Sequence, residues 1–527
     1  MEHLLNPACL TRFEDLFPLC AQTLAQIHPL TSLPEPEGFP PSSLCTLLPW
    51  LEDLAAVDLA RHRIENIPVP QPVDQLQVNP ALEIVEVAWN GLSELIRTGD
   101  AGKVTPGQEF ILVYRPGSNE KVRIVQTSGH QLLALKMILE GLDSHAVAAD
   151  AATSVKVIDE ILDAAAKEGL LLSPGSQIRR SADLAMAGWN ENVLAAETFT
   201  LQWHLTQRCD LHCRHCYDRS DRNPMSLAQG LAILEQLHRF CRSHHVAGQV
   251  SFSGGNPLLS PHFDRLYEKA AALGLLTAIL GNPTDRTTLE RIIAINPPAF
   301  FQVSLEGLQP HNDYIRGVGH FARTLDFLEL LKEYDIYSMV MLTLTRANQA
   351  QVLDLAELLR GKVDLFTFNR LAMVGEGAAL ASVQPESYEQ FLHDYLQAAR
   401  QAPHMALKDN LFNHCLETTG CTLTGGCTGF GCGAAFNFLS LLPDGEVHAC
   451  RKLPSPLGNL LTTDLKDLYH SKQARQYRQG PEPCKDCSIR PVCGGCMAVA
   501  YGFGLDIFSE LDPYCMRCHT ATGTPSS

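Results

Sequence analysis

The chain lacks any uninterrupted apolar run approaching the ~18 residues that a membrane-spanning helix requires, and its opening, Met1-Glu2-His3, lacks the basic start of a secretory signal. Both absences point to a cytoplasmic protein with no membrane partner. Positive charge is also scarce: 41 Lys and Arg stand against 58 Asp and Glu, a formal net charge of −17. A surface of that sign repels phosphate backbones, which argues against a nucleic-acid partner and is compatible with a basic one, such as a Lys/Arg-rich peptide. Apolar residues at 45% over 527 positions suffice for ordinary cores in roughly three domains. Cysteine, by contrast, is abundant, with eighteen in all. In a reducing compartment so many thiols ligate metals more readily than they pair as disulfides.

Residues 1–79 read as a helical N-terminal extension. Leu10 to Leu30 and Trp50 to Ile64 have helical apolar spacing, and the Pro-rich stretch Pro34 to Pro41 between them is a loop. Cys9, Cys20 and Cys45 have no ligand spacing and read as small buried hydrophobes. Residues 80–175 change character. Strand-like runs Glu109–Tyr114 and Lys121–Val125 flank the turn Arg115-Pro116-Gly117-Ser118-Asn119, which predicts a hairpin. Helices Gln131–Glu140, Ser144–Ala152 and Val155–Glu168 follow, the first and last stopped by Gly141 and Gly169. The pattern is winged-helix-like, but Ser144–Ala152, where a DNA-reading helix would lie, has no Lys or Arg and carries Asp150, which disfavours DNA. Residues 176–198 read as a linker.

Over residues 199–403 strand and helix patterns alternate. Strands near Phe199–Leu205, Gly248–Ser253, Leu276–Gly281, Phe300–Leu305, Ser338–Thr343 and Asp364–Phe368 are separated by helices, which predicts an α/β fold with six parallel strands, a partial (β/α)6 barrel of TIM type. An open barrel leaves a lateral mouth large enough for a peptide. The loop leaving the first strand, where chemistry usually sits in such a barrel, holds Cys209, Cys213 and Cys216. Three thiolates so spaced can turn toward one point and suit three irons of a four-iron cubane, leaving the fourth iron open to a substrate or cofactor. A structural zinc site normally takes four ligands in paired patterns.

Here the chain resembles the radical S-adenosylmethionine (SAM) enzymes, whose signature is CxxxCxΦC with Φ aromatic; His215 occupies the Φ position and Tyr217 follows. The resemblance implies a [4Fe–4S] cluster on Cys209, Cys213 and Cys216, with SAM chelating the open iron. Reduction of the cluster would cleave SAM to a 5′-deoxyadenosyl radical that abstracts hydrogen from the substrate. It further implies SAM contacts from Tyr217, from Gly254, Gly255 and Asn256 in the run Ser253-Gly254-Gly255-Asn256-Pro257, and from Ser304 and Arg316. Asn256 stands where the family usually has glutamate and would set a neutral amide carbonyl against the cofactor's ammonium. No general base is singled out; Tyr217, His311 and His448 are candidates by proximity in sequence alone.

The tail, residues 404–527, repeats regular cysteine spacing: Cys427, Cys432, a hairpin at Pro443–Ala449 ending in Cys450, then Cys484, Cys487, Cys493, Cys496 and Cys515. Eight thiolates are enough for two four-iron clusters or two zinc ions. The order closely resembles the SPASM domain, which carries two auxiliary [4Fe–4S] clusters. That resemblance implies one cluster on Cys427, Cys432, Cys450 and Cys496 and another on Cys484, Cys487, Cys493 and Cys515. The gap between Cys493 and Cys496 is two residues where three is usual. Cys415, Cys421 and Cys518 have no assigned role, and any of them can stand in for Cys427. Sulfatase-maturating relatives place a catalytic aspartate right after the cysteine matching Cys450; Arg451 cannot serve as that base.

These resemblances together imply an oxygen-sensitive maturase of a ribosomally synthesised precursor peptide. The winged-helix-like residues 80–175 resemble the element with which such maturases bind a leader peptide by strand addition. The arrangement is similar to maturases of thio- or selenazole-containing peptides, and a flavodoxin or ferredoxin is the implied electron donor. The alternative readings are a non-catalytic iron–sulfur protein that binds peptides or transfers electrons, and a redox-sensing winged-helix regulator.

Overall fold

A computed structural model describes residues 17–27, 48–180, 189 and 191–517. Cys9, Cys45, Cys518 and the Pro34–Pro41 stretch lie outside the described residues. The chain divides into two compact units, residues 1–175 and 176–527. Among the described residues no helix is long and apolar enough to cross a membrane.

The first unit runs α1 (Pro18–Ile27), α2 (Leu51–Glu65), β1 (Gln77–Val78), β2 (Leu82–Asn90), α3 (Leu92–Thr98), β3 (Thr105–Tyr114), β4 (Arg123–Gln126), α4 (Gly129–Glu140), α5 (Ser144–Asp150), α6 (Val155–Glu168) and β5 (Leu171–Leu172). The expected hairpin is β3 and β4, antiparallel with Tyr114 opposite Arg123. β2, which sequence pattern did not single out, pairs with the other side of β3 and makes it central. Alternation along β3 then serves two cores. Ile111 and Val113 face Leu51, Leu54 and Ile64 of α2, while Leu112 and Tyr114 face Leu135, Ile158 and Leu162 of α4 and α6. The described helices of residues 1–79 therefore share a core with the sheet. Cys20 is buried there, and Asp58 of α2 accepts hydrogen bonds from the Leu19 and Cys20 amides at 3.1 and 2.9 Å.

The second unit is built on one nine-stranded sheet in the order β11-β10-β9-β8-β7-β6-β12-β13-β14. Its barrel part is β6 (Thr198–Thr206), α7 (Leu227–Ser243), β7 (Ala247–Gly254), α8 (Phe263–Ala272), β8 (Leu276–Leu280), α9 (Arg286–Ile295), β9 (Phe300–Ser304), α10 (Gln309–Arg316), α11 (His320–Glu333), β10 (Ser338–Leu344), α12 (Val352–Leu359) and β11 (Leu365–Arg370). All six strands are parallel, as the alternation predicted. The tail does not form a separate layer. Its strand β12 (Phe438–Leu441) lies parallel to β6, with Phe438 opposite Thr200, and β13 (Glu446–His448) and β14 (Pro456–Asn459) continue the sheet antiparallel. Phe199 of β6, Phe240 of α7 and Tyr469 of α13 (Leu465–His470) interlock at ring separations of 4.7 to 5.6 Å and join tail to barrel. The segment read as a linker runs along this unit where described: the Gln177 amide donates to the His244 carbonyl, and Ile178 is buried.

In the first unit the buried Asn79 donates to the carbonyls of Arg115 (2.9 Å) and Gly169 (2.7 Å) and accepts from the Ala81 amide (2.9 Å). Asn79→Ala strands buried polar groups, each worth about 1–3 kcal/mol. We expect faster amide exchange at β1, β5 and residues 114–116, with exchange in the barrel unchanged.

Candidate functional site

Parallel strands bring their C-terminal ends to one rim, and the loops there enclose a cavity of about 430 Å³. Cys209, Cys213 and Cys216 line it together with Gly254, Gly255, Ser304, Arg316 and Tyr217. All eight residues that the sequence grouped with Asn256 around SAM are thus in the wall of a single space. The three thiols are free of disulfides. Burial pushes the Cys213 and Cys216 thiols up, while Arg316 and, for Cys216, the Asp218 backbone pull the other way. Three soft donors, Cys209 exposed and Cys213 and Cys216 half-buried, with no fourth thiol among the described residues lining the cavity, fit a cubane with one open iron.

Asn256 is not among the residues lining the cavity: its Nδ2 donates to Asp210 Oδ1 at 2.9 Å, and its Oδ1 accepts from the Leu258 amide at 3.3 Å. Asn282 adds a 2.7 Å bond to the same Asp210 oxygen and lies 3.6 Å from Cys209 Sγ. A short neutral amide in place of glutamate thus braces the cysteine loop. The glycines have a second reason to be glycine as well. A Cβ at Gly254 would lie 2.3 Å from the Thr206 carbonyl oxygen, and one at Gly255 would lie 2.2 Å from that of Arg208. Their close approach is to the backbone leaving β6, where the Gly255 amide donates to the Thr206 carbonyl at 2.7 Å.

Arg316 reaches the cavity already neutralised. Glu306, buried behind it, accepts from Arg316 Nε at 2.9 Å and Nη2 at 2.5 Å and from His215 Nε2 at 3.0 Å. Burial alone would raise the Glu306 carboxyl; His215 and Arg316 reverse this and hold it well below the usual carboxylate range. Arg316 Nη1 remains 3.8 Å from Cys213 Sγ. His215, unusual at its motif position, therefore has an ionic partner that an aromatic ring would not need.

Tyr217 lies 3.1 Å from His204 Nε2, with the Arg451 guanidinium 5.3 Å from its ring centroid. Burial pushes the phenol up to about 12 and, with Arg451, pushes His204 down to about 3. Both groups are neutral near pH 7. His311 does not line the cavity. His448 is engaged by Glu446 and by the Ser455 amide.

Cys427, Cys432, Cys450 and Cys496 line a second, smaller cavity of about 70 Å³. Burial pushes Cys432 up to about 12, with the neighbouring Cys427 and Cys450 adding to it, and Cys450 and Cys496 rise for the same reasons. Cys484 is pushed up to about 12 by burial and by Cys515 and Cys487, and Cys493 rises with Cys484 and Cys487 nearby. Crowded thiols in each set, Cys432, Cys450 and Cys496 in one and Cys484 and Cys493 in the other, are unfavourable as thiolates unless a cationic metal core compensates them, which fits two four-iron clusters. Cys415 is buried apart from both sets, and Cys421 Sγ lies 3.9 Å from Arg400.

Four residues of this region carry no spacing signal. Lys408 and Lys452 line the four-cysteine cavity, and Arg370 and Asp512 support it. Burial, Arg451 and Lys408 push Lys452 down to about 8. Arg370, buried at the end of β11, donates to Asp409 at 2.8 Å and to both oxygens of Asp512 at 2.8 and 2.7 Å. Asp512 also accepts from the Cys496 amide at 2.8 Å.

A family model for the radical SAM superfamily matches residues 203–359, and one for an iron–sulfur cluster-binding domain, SPASM, matches residues 432–488. An AdoMet-dependent heme synthase of Methanosarcina barkeri is 27% identical over 345 residues, 60% of this chain and 95% of the relative. The mycofactocin maturase MftC of Mycobacterium ulcerans is 29% identical over 343 residues, 61% of this chain and 88% of the relative. Among solved structures, Streptococcus suis SuiB bound to the precursor peptide SuiA aligns with a TM-score of 0.50 at 17% identity, covering 77% of this chain and 96% of that one, a similarity of fold.

Two substitutions probe the geometry. Gly255→Ala drives a methyl into the Arg208 carbonyl and should lower iron content by one cluster's share, with the eight-thiol region still loaded, as Mössbauer quantification will read. Arg370→Leu leaves Asp409 and Asp512 buried without a countercharge, a cost of about 3–5 kcal/mol. We expect a lower denaturation midpoint that Arg370→Lys restores only in part, because an ammonium cannot make the bidentate pair.

Proposed function

We propose that this chain, a radical SAM enzyme with a SPASM iron–sulfur domain, modifies a ribosomally synthesised precursor peptide by hydrogen abstraction from carbon, leaving a net oxidation or a new carbon–sulfur or carbon–carbon bond. One observation carries the proposal. The cavity of Cys209, Cys213 and Cys216 and the cavity of Cys427, Cys432, Cys450 and Cys496 share Asn369, Arg370, Ala372 and Lys452 as a common wall. A substrate held in the first therefore lies beside the second.

In this reading Cys209, Cys213 and Cys216 hold the cluster that binds SAM. Tyr217, Gly254, Gly255, Ser304 and Arg316 surround SAM, and the two sets of four cysteines hold the auxiliary clusters. When bound, the SAM cluster supplies hydrogen-atom abstraction from unactivated carbon, and the auxiliary clusters supply a sink for the electron that a net oxidation leaves. The protein's own residues orient and insulate. The His204–Tyr217 pair, both partners neutral, holds the phenol at the cavity wall, and Glu306 fixes the reach of Arg316. Glu376 donates its amide to the Cys216 carbonyl at 2.8 Å, fastening the loop after β11 over the cysteine loop.

A peptide substrate is supported by the maturase among the relatives and by the edges of the first unit's sheet. On the β2 edge, Asp53 accepts from the Ala88 amide and Arg63 pairs with Glu83. β4 is the other edge, and among the described residues no further strand pairs with it. A leader strand would extend the sheet there, making residues 80–175 the recognition element, 199–403 the catalytic barrel and 404–527 the auxiliary-cluster domain. A flavodoxin or ferredoxin would donate the electron, in a reducing cytoplasm that keeps the cysteines available as thiolates.

The test uses full-length, anaerobically reconstituted protein with SAM, a low-potential reductant and the short peptide encoded beside its gene. The expected results are 5′-deoxyadenosine release, a mass change in the peptide, loss of both in Cys213→Ala, and leader affinity between nanomolar and micromolar, about 8–12 kcal/mol. Absence of 5′-deoxyadenosine rejects the chemistry. Turnover of a heme precursor with every peptide untouched rejects the substrate class.

A further inference from the structure

The walls of the four-cysteine cavity carry three cations of unlike standing. Arg370 is matched by two carboxylates, Asp409 and Asp512. Lys408 and Lys452 line the same cavity, and among the described residues neither ammonium has a hydrogen-bond or carboxylate partner. Asp409 lies in that wall too, but it is bound to Arg370. Lys408 is within electrostatic reach of Cys427 and Cys450, and Lys452 of Cys496 and Cys450. Two ammoniums in one half-buried wall, neither with an anionic partner, are costly. An anion placed between them removes the cost.

The second set of thiols has a smaller excess. Arg517 Nη1 lies 3.2 Å from Cys487 Sγ, but that guanidinium is ion-paired with Glu417. Arg490, which donates to the Gln479 carbonyl, is the one cation within reach of Cys484 that the described residues leave without a carboxylate. The Asp512 carboxylate is a negative neighbour of Cys484 and Cys493 and, in the first set, of Cys496, where Arg370 offsets it. A cubane on four thiolates is an anion that gains negative charge on reduction, and nearby cations favour the reduced form in proportion to their closeness and the dryness of the site.

We propose that Lys408 and Lys452 are charge-compensating residues that hold an added electron on the cluster of Cys427, Cys432, Cys450 and Cys496, making it the more easily reduced of the two auxiliary clusters. Reduction here is the addition of one electron, with no bond made or broken. The inference rests on the proposed placement of a cluster in this cavity and goes beyond it by ordering the two potentials.

The experiment is an EPR-monitored redox titration, at one pH, of full-length protein whose SAM cluster has been removed by Cys209→Ala, Cys213→Ala and Cys216→Ala. Iron and sulfide content and Mössbauer spectra are taken first. Two transitions are expected. In Lys408→Met and Lys452→Met only the upper one moves, the ratio of reduced to oxidised cluster at fixed potential falling about tenfold, a midpoint shift of about 59 mV. Lys408→Arg and Lys452→Arg, which keep the charge, should leave it in place. An upper midpoint that moves less than threefold in ratio in both methionine variants, or that moves as far in the arginine variants, overturns the inference while leaving the cluster assignment intact. Two clusters' worth of iron in the parent that Cys432→Ala does not reduce overturns the assignment and the inference with it.

Discussion

The Arg370 guanidinium, sandwiched between Asp409 and Asp512, is the interaction on which the site's architecture depends. It ends the last barrel strand, and its partner Asp512 accepts from the backbone amide of Cys496. Asp512 also accepts from the Tyr514 amide at 3.0 Å, one residue before Cys515. A single buried cation thus connects the rim of the barrel to a thiol of each tail set. Burying these charges gains little net stability over an apolar core, but the bidentate geometry leaves few alternative positions for the tail. Precision of placement is what two cavities with a common wall require.

The distribution of charge in the site follows one rule. Crowded cysteines, if they are to be thiolates, need positive charge nearby, yet the chain as a whole carries an excess of acid. Several cations beside them are already bound to carboxylates: Arg316 to Glu306, Arg370 to Asp409 and Asp512, and the half-exposed Arg517 to Glu417. Such pairs orient a guanidinium without adding net charge. Lys408 and Lys452 are unlike these, and the difference separates the surroundings of the two sets of tail thiols.

Position 451 shows how one side chain sets the character of the cavity wall. An aspartate there would present a proton acceptor to the cavity. Arg451 instead lies over the Tyr217 ring and helps keep His204 neutral. Asn256 is a parallel case: short and uncharged, it turns to Asp210 and braces the cysteine loop.

Features encoded by short-range spacing were legible from the residues in order. The six alternating strands, the β3–β4 hairpin and the three-thiol motif on the loop after β6 depend on periodicities and separations within a few residues. The division of tail cysteines depended on resemblance, since spacing alone left two metals open. Pairing across hundreds of residues was not legible. Nothing in Phe438–Leu441 announces that it will lie beside Thr200–Trp203. Leu82–Asn90, with Ile84, Val85, Val87 and Trp89, has the composition of a strand that the reading passed over, but its pairing with β3 is not written in that composition. The same holds for Lys408, Lys452, Arg370 and Asp512, ordinary charged residues until folding gathers them around one cavity. A charge has no spacing rule of its own. Its role is set by what lies within a few ångströms in space, and chain order does not record that distance.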